Sequence, residues 1–323
     1  MAKVKNFKTI FPAVSVPLND DYSINEAEFR AYLRWIKSFY GKGIDGLVCN
    51  GHTGEITGLT RAERKRVVEI CAEECGDVMT IVSGVNCENT QESIEMAAEA
   101  KAAGADAILL MPPHMWLRFG MNPNAPFQYV KDVAEGADID IIIHLYPATS
   151  KAFYPVETLI KMCKEIDHVK CIKMGTRVTS IYEHDVRLLR QECPDISLIT
   201  CHDVTLCVSW FPGMDGALIG FAGCVPELIC PAREVFAHPD QHTLKEAQDW
   251  SDRIYHISQA IYGGGQPSGE AHARLKEALY QRGIFSNALM RKPVLPLDQE
   301  EKDWVALGLE RSQLPKVDMS QYK

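Results

Sequence analysis

Short apolar runs alternate along this chain with longer segments whose apolar residues recur every three or four positions. The short runs have the length of β-strands, and segments such as INEAEFRAYLRWIKSFY and TQESIEMAAEAKAAG have the spacing of amphipathic helices. From near the first residue to about residue 224, the alternation predicts eight strands. They are Ile10–Pro17, Gly46–Asn50, Met79–Gly84, Ala107–Pro112, Ile139–Tyr146, Val169–Met174, Ile196–Thr200 and Gly216–Phe221.

The predicted strands are nearly all apolar, which is typical of a parallel sheet covered by helices. Eight strand–helix units in about 225 residues fit a closed (β/α)8 barrel, the TIM barrel. A doubly wound open sheet is the alternative. No G-x-G-x-x-G motif follows the first strand, where that class usually carries its phosphate loop, so the pattern favours the α/β barrel.

After about residue 235 the strand pattern stops, and three amphipathic segments follow, LKEAQDWSDRIYHISQAIY, GEAHARLKEALYQRG and LDQEEKDWVALGLERS. We therefore predict a barrel over residues 1–235 and a C-terminal appendage of three helices over residues 236–323. The glycine run Gly263–Gly265 follows a helix rather than a strand. We interpret it as a turn between two helices and not as a phosphate loop.

Several helix ends carry capping residues. Asn25 and Thr90 are predicted N-caps, because their side chains can accept hydrogen bonds from the first free backbone N–H groups. Asp298 is a third predicted N-cap, with Glu301 placed for a capping box. Gly104 closes the helix before the fourth strand, at the position where a left-handed backbone is common.

The composition limits the classes of function. A formal net charge of −9 argues against a nucleic-acid surface, which needs clustered Lys and Arg. No apolar run reaches the roughly 18 residues that cross a bilayer, and MAKVKNFKTI lacks the apolar core of a signal peptide. We expect a cytoplasmic protein that binds neither nucleic acid nor membrane.

The eleven cysteines are an odd number and lie in apolar stretches such as GLVCN and VKCIK, so we predict reduced core residues rather than disulfides. The spacing of Cys163, His168 and Cys171 does not match a zinc ribbon or finger, and no second pair stands nearby. We predict no metal site.

The segment HVKCIKMGT, residues 168–176, places an ammonium where its strand pattern calls for an apolar side chain. Val169, Cys171 and Lys173 alternate and are expected to share the inward face. The residues alone leave two interpretations. Lys173 either ends the strand and reaches water, or it is desolvated so that its amine is partly neutral and nucleophilic. Active-site loops of a barrel follow the carboxyl ends of its strands, and this position favours the nucleophile.

The polar loop after the second predicted strand, GHTGEITGLTRAER, resembles the G-[TS]-T-G-E signature of the dihydrodipicolinate synthase and N-acetylneuraminate lyase superfamily of class I aldolases. Four further segments resemble this family in the family's own order: FPAVSVPLNDDYSINEAEFRAYLRWI, AAEAKAAGADAILLMPP, VKCIKMG and RKPVLPL. The resemblance covers nearly the whole chain and implies a pyruvate-type aldolase.

By this resemblance, Lys173 is the lysine that forms a Schiff base with pyruvate or a larger 2-oxo acid. The positive iminium nitrogen withdraws electrons from the neighbouring carbon, so that a C–C bond breaks or forms, or a hydroxyl leaves, through an enamine. At an ordinary pKa of about 10.4, fewer than about one lysine in a thousand is neutral at pH 7, so burial must lower the pKa. The implied protein is a lyase without a cofactor that forms a homodimer or homotetramer.

The resemblance assigns the substrate carboxylate to the GHTGE loop, where Gly51, His52, Thr53 and Gly54 are the candidate binding residues. The two glycines would allow a close backbone approach to an anion. The alternative for them is a tight turn without a binding role. Glu55 is expected to brace the loop rather than to touch the substrate.

The family's proton-relay tyrosine stands three residues before a proline at the end of the fifth strand. Counted back from Pro147, this chain has His144 there. Tyr146 lies two residues further on, and on the same face if the strand continues. Either side chain could carry the proton, since histidine titrates nearer neutrality and the phenol matches the family's chemistry. Both are therefore candidate catalytic residues.

Dihydrodipicolinate synthases carry an arginine just after that proline to hold the carboxylate of their aldehyde substrate, but here the segment is PATSK. The loop PPHMWLRFG also lacks the tyrosine pair of those synthases and is more similar to the loop of hydratase-aldolases. Trp116 and Arg118 are therefore candidate contacts to a bulkier substrate; an exposed surface pair is the alternative. We predict a hydratase-aldolase or a sugar-acid lyase or dehydratase. The other candidates are a non-catalytic barrel that binds a 2-oxo acid, and dihydrodipicolinate synthase itself.

Overall fold

The computed structural model describes residues 3–263 and 269–323. Eight strands form one parallel sheet: β1 Ile10–Pro12, β2 Gly46–Cys49, β3 Thr80–Val85, β4 Ala107–Leu110, β5 Asp140–His144, β6 Val169–Met174, β7 Ser197–Thr200 and β8 Gly216–Ile219. Their order in the sheet is β1-β8-β7-β6-β5-β4-β3-β2, and a parallel bridge between Ala13 and Val48 joins its two edges. The predicted (β/α)8 barrel is confirmed.

Helices cover the outside of the barrel. The first nine are α1 Glu26–Lys37, α2 Arg61–Cys75, α3 Thr90–Ala102, α4 His114–Phe119, α5 Ala125–Ala137, α6 Val156–Glu165, α7 Thr179–Glu192, α8 Leu206–Trp210 and α9 Pro226–Ala237. They are followed, in the part of the chain that is described, by α10 Leu244–Tyr262, α11 Gly269–Gln281 and α12 Gln299–Arg311. The predicted domain boundary at residue 235 lies inside α9. Most of the glycine turn predicted at Gly263–Gly265 lies outside the described residues.

Two element ends differ from their predicted positions. β5 ends at His144, so Tyr146 lies in the segment that follows the strand. Asn89 caps α3 in place of Thr90, because its side chain accepts a hydrogen bond from the Glu92 N–H at 2.8 Å. Asn89 has the extended backbone of a cap, with φ −140°, whereas Thr90 is already the first residue of the helix.

The other predicted caps, at Asn25, Gly104 and Asp298, are present, but the Glu301 side chain has a different partner from the one predicted. Asn25 caps α1, and Gly104 follows α3 with a φ of +105°. Asp298 accepts a hydrogen bond from the Glu301 N–H at 2.9 Å. The Glu301 carboxylate does not complete the predicted capping box but binds the Arg274 guanidinium at 2.6 Å. The start of α12 is thereby tied to α11.

Apolar side chains pack in two layers, one inside the barrel and one between the strands and the helices. The inner cluster consists of Phe11, Ala13, Val48, Val82, Ala107, Leu109, Met111, Ile142, Cys171, Ile199 and Leu218. Val169 packs in the outer cluster, because the register between β5 and β6 shifts between Ile141 and Ile142. The predicted inward position of Val169 is therefore wrong, whereas Cys171 faces inward and Lys173 follows it with the period of two.

The cysteines serve as small core residues. All eleven are free thiols, and all except Cys163 are buried. This agrees with the prediction of reduced thiols in apolar surroundings. Within residues 3–263 and 269–323, no helix has the length and apolar character needed to cross a membrane.

Candidate active site

A cavity of about 400 Å³ opens at the carboxyl ends of the strands. Active sites of (β/α)8 barrels lie at this face, because the loops after the strands converge there. The polar side chains that line the cavity are His52, Thr53, His114, His144, Tyr146, Lys173, Arg177, Cys201, Asp203, Tyr262 and His272.

Lys173 is the penultimate residue of β6 and faces the cavity. Among the described residues, no hydrogen bond or ion pair holds its ammonium. The pKa of Lys173 is lowered, chiefly because burial penalises the charged amine; the Arg177 guanidinium lowers it further, while Cys201 and Asp203 oppose the shift. A lysine that points into a cavity without a carboxylate partner is a candidate nucleophile.

His144 lies beside Lys173, since the two residues are paired in the register of β5 and β6. Burial is the main reason why the pKa of His144 lies well below its usual value, and the charge of Lys173 lowers it further. The imidazole is therefore neutral at pH 7. Its Nδ1 is buried and has no hydrogen-bond partner in the described part of the chain. A neutral ring next to an amine can accept a proton and return it.

Tyr146 follows β5, and its ring makes a T-shaped contact with that of His144 at a centroid distance of 4.9 Å. Its hydroxyl is 3.3 Å from Nε2 of His52 in the GHTGE loop. Burial raises the pKa of Tyr146 and lowers that of His52 to about 3, so both groups are uncharged at pH 7. His52 is stacked on His114 with ring centroids 6.1 Å apart. The polar rings of His144, Tyr146, His52 and His114 thus extend from β5 to α4.

The GHTGE loop is held by its own backbone and by a C-terminal helix. Gly54 has little room for a side chain, since a Cβ there would come 3.0 Å from the Val14 carbonyl oxygen. Gly51 lines the cavity and has more space, because a Cβ there would come no closer than 3.7 Å to a Val48 methyl group. Glu55 turns to α11 and forms an ion pair of 2.5 Å with Lys276, which agrees with a bracing role.

Trp116 and Arg118 do not line the cavity. The Trp116 ring packs edge-on against Tyr129 and Tyr154, at centroid distances of 5.6 and 6.3 Å. Arg118 is exposed to solvent. The same helix, α4, presents His114 to the cavity instead. His114 and Trp116 are two residues apart, about 200° around a helix, so they face opposite sides.

Six polar cavity residues were not among the predicted site residues: His114, Arg177, Cys201, Asp203, Tyr262 and His272. Asp203 follows β7 and accepts a hydrogen bond from the Gly220 N–H at 2.9 Å; burial raises the pKa of its carboxyl group. Arg177 follows β6, and Tyr262 and His272 reach the cavity from α10 and α11. Asp203 and Arg177 could have been predicted from the sequence, because both lie in loops that follow predicted strands. No local pattern indicates that Tyr262 and His272 would lie at the barrel mouth.

The fold and the cavity define a TIM barrel with a desolvated lysine near the end of its sixth strand. The model of the Dihydrodipicolinate synthetase family matches residues 6–311 of the chain. The protein therefore belongs to this family, and the resemblance found in the sequence is confirmed.

Named relatives match over most of the chain. The 4-hydroxy-tetrahydrodipicolinate synthase of Bartonella bacilliformis is 27% identical over 311 residues, which cover 96% of this chain and 99% of the relative. The enzyme of the same name from Nitrobacter hamburgensis is 28% identical over 279 residues, or 84% and 87% of the two chains.

A solved structure with a similar fold is YagE, a prophage protein from Escherichia coli K12 crystallised with pyruvate. It has a TM-score of 0.85 and 20% identity, covering 95% of this chain and 99% of YagE. Dihydrodipicolinate synthase from Thermotoga maritima has a TM-score of 0.83 and 18% identity over 95% and 99% of the chains. At these identities the solved structures establish the fold alone.

Proposed function

We propose that this protein is a class I lyase whose Lys173 forms a Schiff base with pyruvate or a larger 2-oxo acid. The observation that carries this proposal is the Lys173 amine, which faces the cavity from β6 without an ionic partner among the described residues and with a lowered pKa. Family membership supports an aldolase-type lyase. The pyruvate in the YagE structure supports a 2-oxo acid as the ligand class.

The chemistry begins when the neutral Lys173 amine attacks the carbonyl carbon of the 2-oxo acid and forms a carbinolamine. Loss of the hydroxyl as water leaves an iminium, whose positive nitrogen accepts the electron pair of a breaking C–C or C–H bond as an enamine. Protonation of the enamine and hydrolysis of the iminium then release the product and restore the amine. The proposed carriers of the protons in these steps are His144, which is paired with Lys173 across β5 and β6, and Tyr146, whose ring contacts that of His144.

The substrate carboxylate is assigned to the loop after β2. Gly51, His52 and Thr53 line the same cavity as Lys173. Because the His52 ring is neutral at pH 7, it offers a hydrogen bond rather than a charge. The Thr53 hydroxyl and the loop N–H groups add uncharged donors, an arrangement that binds anions in tight backbone turns.

Within the family we favour a hydratase-aldolase or a sugar-acid lyase or dehydratase. The segment from Pro147 to Lys151 contains no arginine. The cavity, at about 400 Å³, falls in the range of sites that take ligands larger than a three-carbon acid. The non-catalytic alternative predicts no turnover with any member of a panel of 2-oxo acids, whereas a lyase turns over at least one.

Dihydrodipicolinate synthase itself is the second candidate, because the named relatives are synthases of that reaction. A coupled reductase assay with pyruvate and aspartate semialdehyde separates the two. We expect no cyclic product, since the arginine that holds the aldehyde carboxylate after Pro147 is missing. Efficient formation of the product would assign the synthase activity to this protein.

Borohydride trapping tests the Schiff base. With pyruvate present, borohydride should reduce the iminium to a stable secondary amine, inactivate the protein and place one adduct on the peptide that contains CIKMG. Lys173→Arg should abolish trapping and turnover, because guanidinium does not lose its proton in this pH range. Lys170→Arg is the matched control, since Lys170 lies on the same strand but is exposed. Adducts spread over surface lysines, or full activity of Lys173→Arg, would contradict the proposal.

A further inference from the structure

Arg177 is a charged group in the cavity to which the proposed chemistry gives no role. It follows β6, four residues after Lys173, and lines the cavity wall. Its Nε is buried without a hydrogen-bond partner, and no ion pair joins its guanidinium to any residue in 3–263 or 269–323. Buried donors are normally satisfied, and a guanidinium remains charged at any physiological pH. Arg177 therefore has free binding capacity directed at the cavity.

Asp203 is an acidic residue of the same cavity, and no ion pair joins it to Arg177 in the described part of the chain. Asp203 influences Arg177 electrostatically, but its carboxylate accepts the Gly220 N–H at 2.9 Å and also lies beside the Tyr262 hydroxyl. Burial raises the pKa of Asp203. The guanidinium thus keeps a net positive charge at this wall of the cavity.

Arg177 is also separate from the site proposed for the first carboxylate. That carboxylate is assigned to the loop after β2, which contributes Gly51, His52 and Thr53 to the cavity. Arg177 comes from the loop after β6, on another part of the barrel mouth. A ligand joined to Lys173 and held by the β2 loop would therefore have its far end free to reach the guanidinium.

We propose that Arg177 binds an anionic group, a carboxylate or a phosphate, at the far end of the substrate. The preferred substrates are then 2-oxo acids that carry a second negative charge. Arginine suits this role because its planar fork of N–H donors matches both oxyanions. This inference rests on the proposed function. The segment directly after Pro147 contains no arginine, and the guanidinium that we assign to the second anionic group comes instead from the loop after β6.

Borohydride trapping on Lys173 measures this preference without knowledge of the natural aldehyde. Half-saturating concentrations are compared for 2-oxoglutarate, for its analogue 2-oxopentanoate, which lacks the second negative charge, and for 2-oxo-4-phosphonobutanoate as the phosphate-like probe. We expect the wild-type protein to favour one or both probes with a distal anionic group over 2-oxopentanoate by at least about tenfold. Arg177→Met should reduce that preference roughly 10- to 100-fold, and Arg177→Lys should retain part of it. Which charged probe is preferred distinguishes a carboxylate from a phosphate.

The readout is the ratio of affinities for probes with and without the distal anionic group. Arg177 also lowers the pKa of Lys173, so its loss changes trapping of all probes together and leaves this ratio informative. Arg187→Met is the matched control; Arg187 is on α7, its side chain is 68% exposed, and the ratio should not change. Equal affinity for probes with and without the distal anionic group, or a ratio unaffected by Arg177→Met, overturns the inference. The Schiff-base proposal then still stands if pyruvate is trapped on Lys173. Absence of a pyruvate adduct on Lys173 overturns both.

Discussion

At the residue scale, His144 and Tyr146 have different surroundings although they are two residues apart. Burial is the main cause of both pKa shifts, but the next contribution differs. For His144 it is the charge of Lys173, and for Tyr146 it is Tyr129. Together with the pairing of His144 and Lys173 across β5 and β6, this places His144 closer to the amine. We therefore infer that His144 is the main proton carrier.

Substitution of the two residues by phenylalanine tests this order. His144→Phe should lower turnover by about two to four decades, the usual contribution of a positioned acid–base group. Tyr146→Phe should lower it by less than about one decade, because the His52 ring remains beside the site. Neither should change the half-saturating pyruvate concentration in borohydride trapping much.

Steady-state kinetics on the 2-oxo acid with the highest turnover gives the comparison. The reverse order would assign the relay to the pair formed by Tyr146 and His52. Small and equal effects would mean that water or the substrate's own groups carry the protons.

At the element scale, the N-cap of α3 is Asn89, one position before Thr90, the residue that the sequence predicted. The Asn89 side chain accepts the Glu92 N–H, while Thr90 is inside the helix. Asn89→Ala should lower the free energy of unfolding by about 1 kcal/mol, as is usual for loss of an N-cap. Thr90→Ala should change it by less than about 0.5 kcal/mol. Urea denaturation of both variants decides which residue is the cap. A larger loss of stability for Thr90→Ala than for Asn89→Ala would show that Thr90 is the cap.

A second element-scale feature is the ion pair between Glu55 and Lys276, which joins the loop after β2 to α11. Both side chains are nearly inaccessible, at 9% and 2% exposure. Lys276→Met should destabilise the protein by about 3–5 kcal/mol, because it leaves a buried carboxylate unpaired. Adding Glu55→Gln to this variant should restore part of the loss, since the unpaired charge is then removed. Denaturant unfolding of the single and double variants measures the coupling.

Lys245→Met is the control for a pair with the same chemistry at the surface. Lys245 is 74% exposed and pairs with Asp249 within α10. Its loss should cost less than about 1 kcal/mol. A cost for Lys276→Met as small as this would show that Glu55 reaches water when its partner is removed.

At the scale of the whole molecule, several buried histidines make stability depend on pH. Burial lowers the pKa of His202 to about 4 and that of His272 to about 4. Below the unfolded-state pKa of about 6.5, the unfolded chain binds more protons than the folded protein at these sites, so stability falls as pH falls. Asp185, whose pKa burial raises to about 6, acts in the opposite direction below that pH.

The contribution of one histidine is isolated by a substitution. Between pH 6.5 and 5 the wild-type protein should lose about 1.5 kcal/mol through His202, and His202→Gln should lose correspondingly less. Urea denaturation at several pH values gives the slopes. Parallel curves for the wild-type and His202→Gln proteins would mean that His202 is protonated equally in both states.

Local patterns were sufficient to predict the architecture and the candidate nucleophile Lys173. Strand runs and helical periods depend on neighbours only a few residues away, so the eight strands, the barrel and the C-terminal helices could be predicted from them. Lys173 was found because a single ammonium interrupts an apolar strand at its carboxyl end. The GHTGE loop was found because its composition and order resemble one family.

The composition of the cavity depended on packing between distant segments. The register shift between β5 and β6 turned Val169 outward, and the direction of α4 placed His114 at the cavity in place of Trp116. Tyr262 and His272 reach the barrel mouth from helices that no local signal connects to it. The period of a strand or helix is set by its own backbone, whereas the neighbour that each side chain meets is set by how whole elements pack.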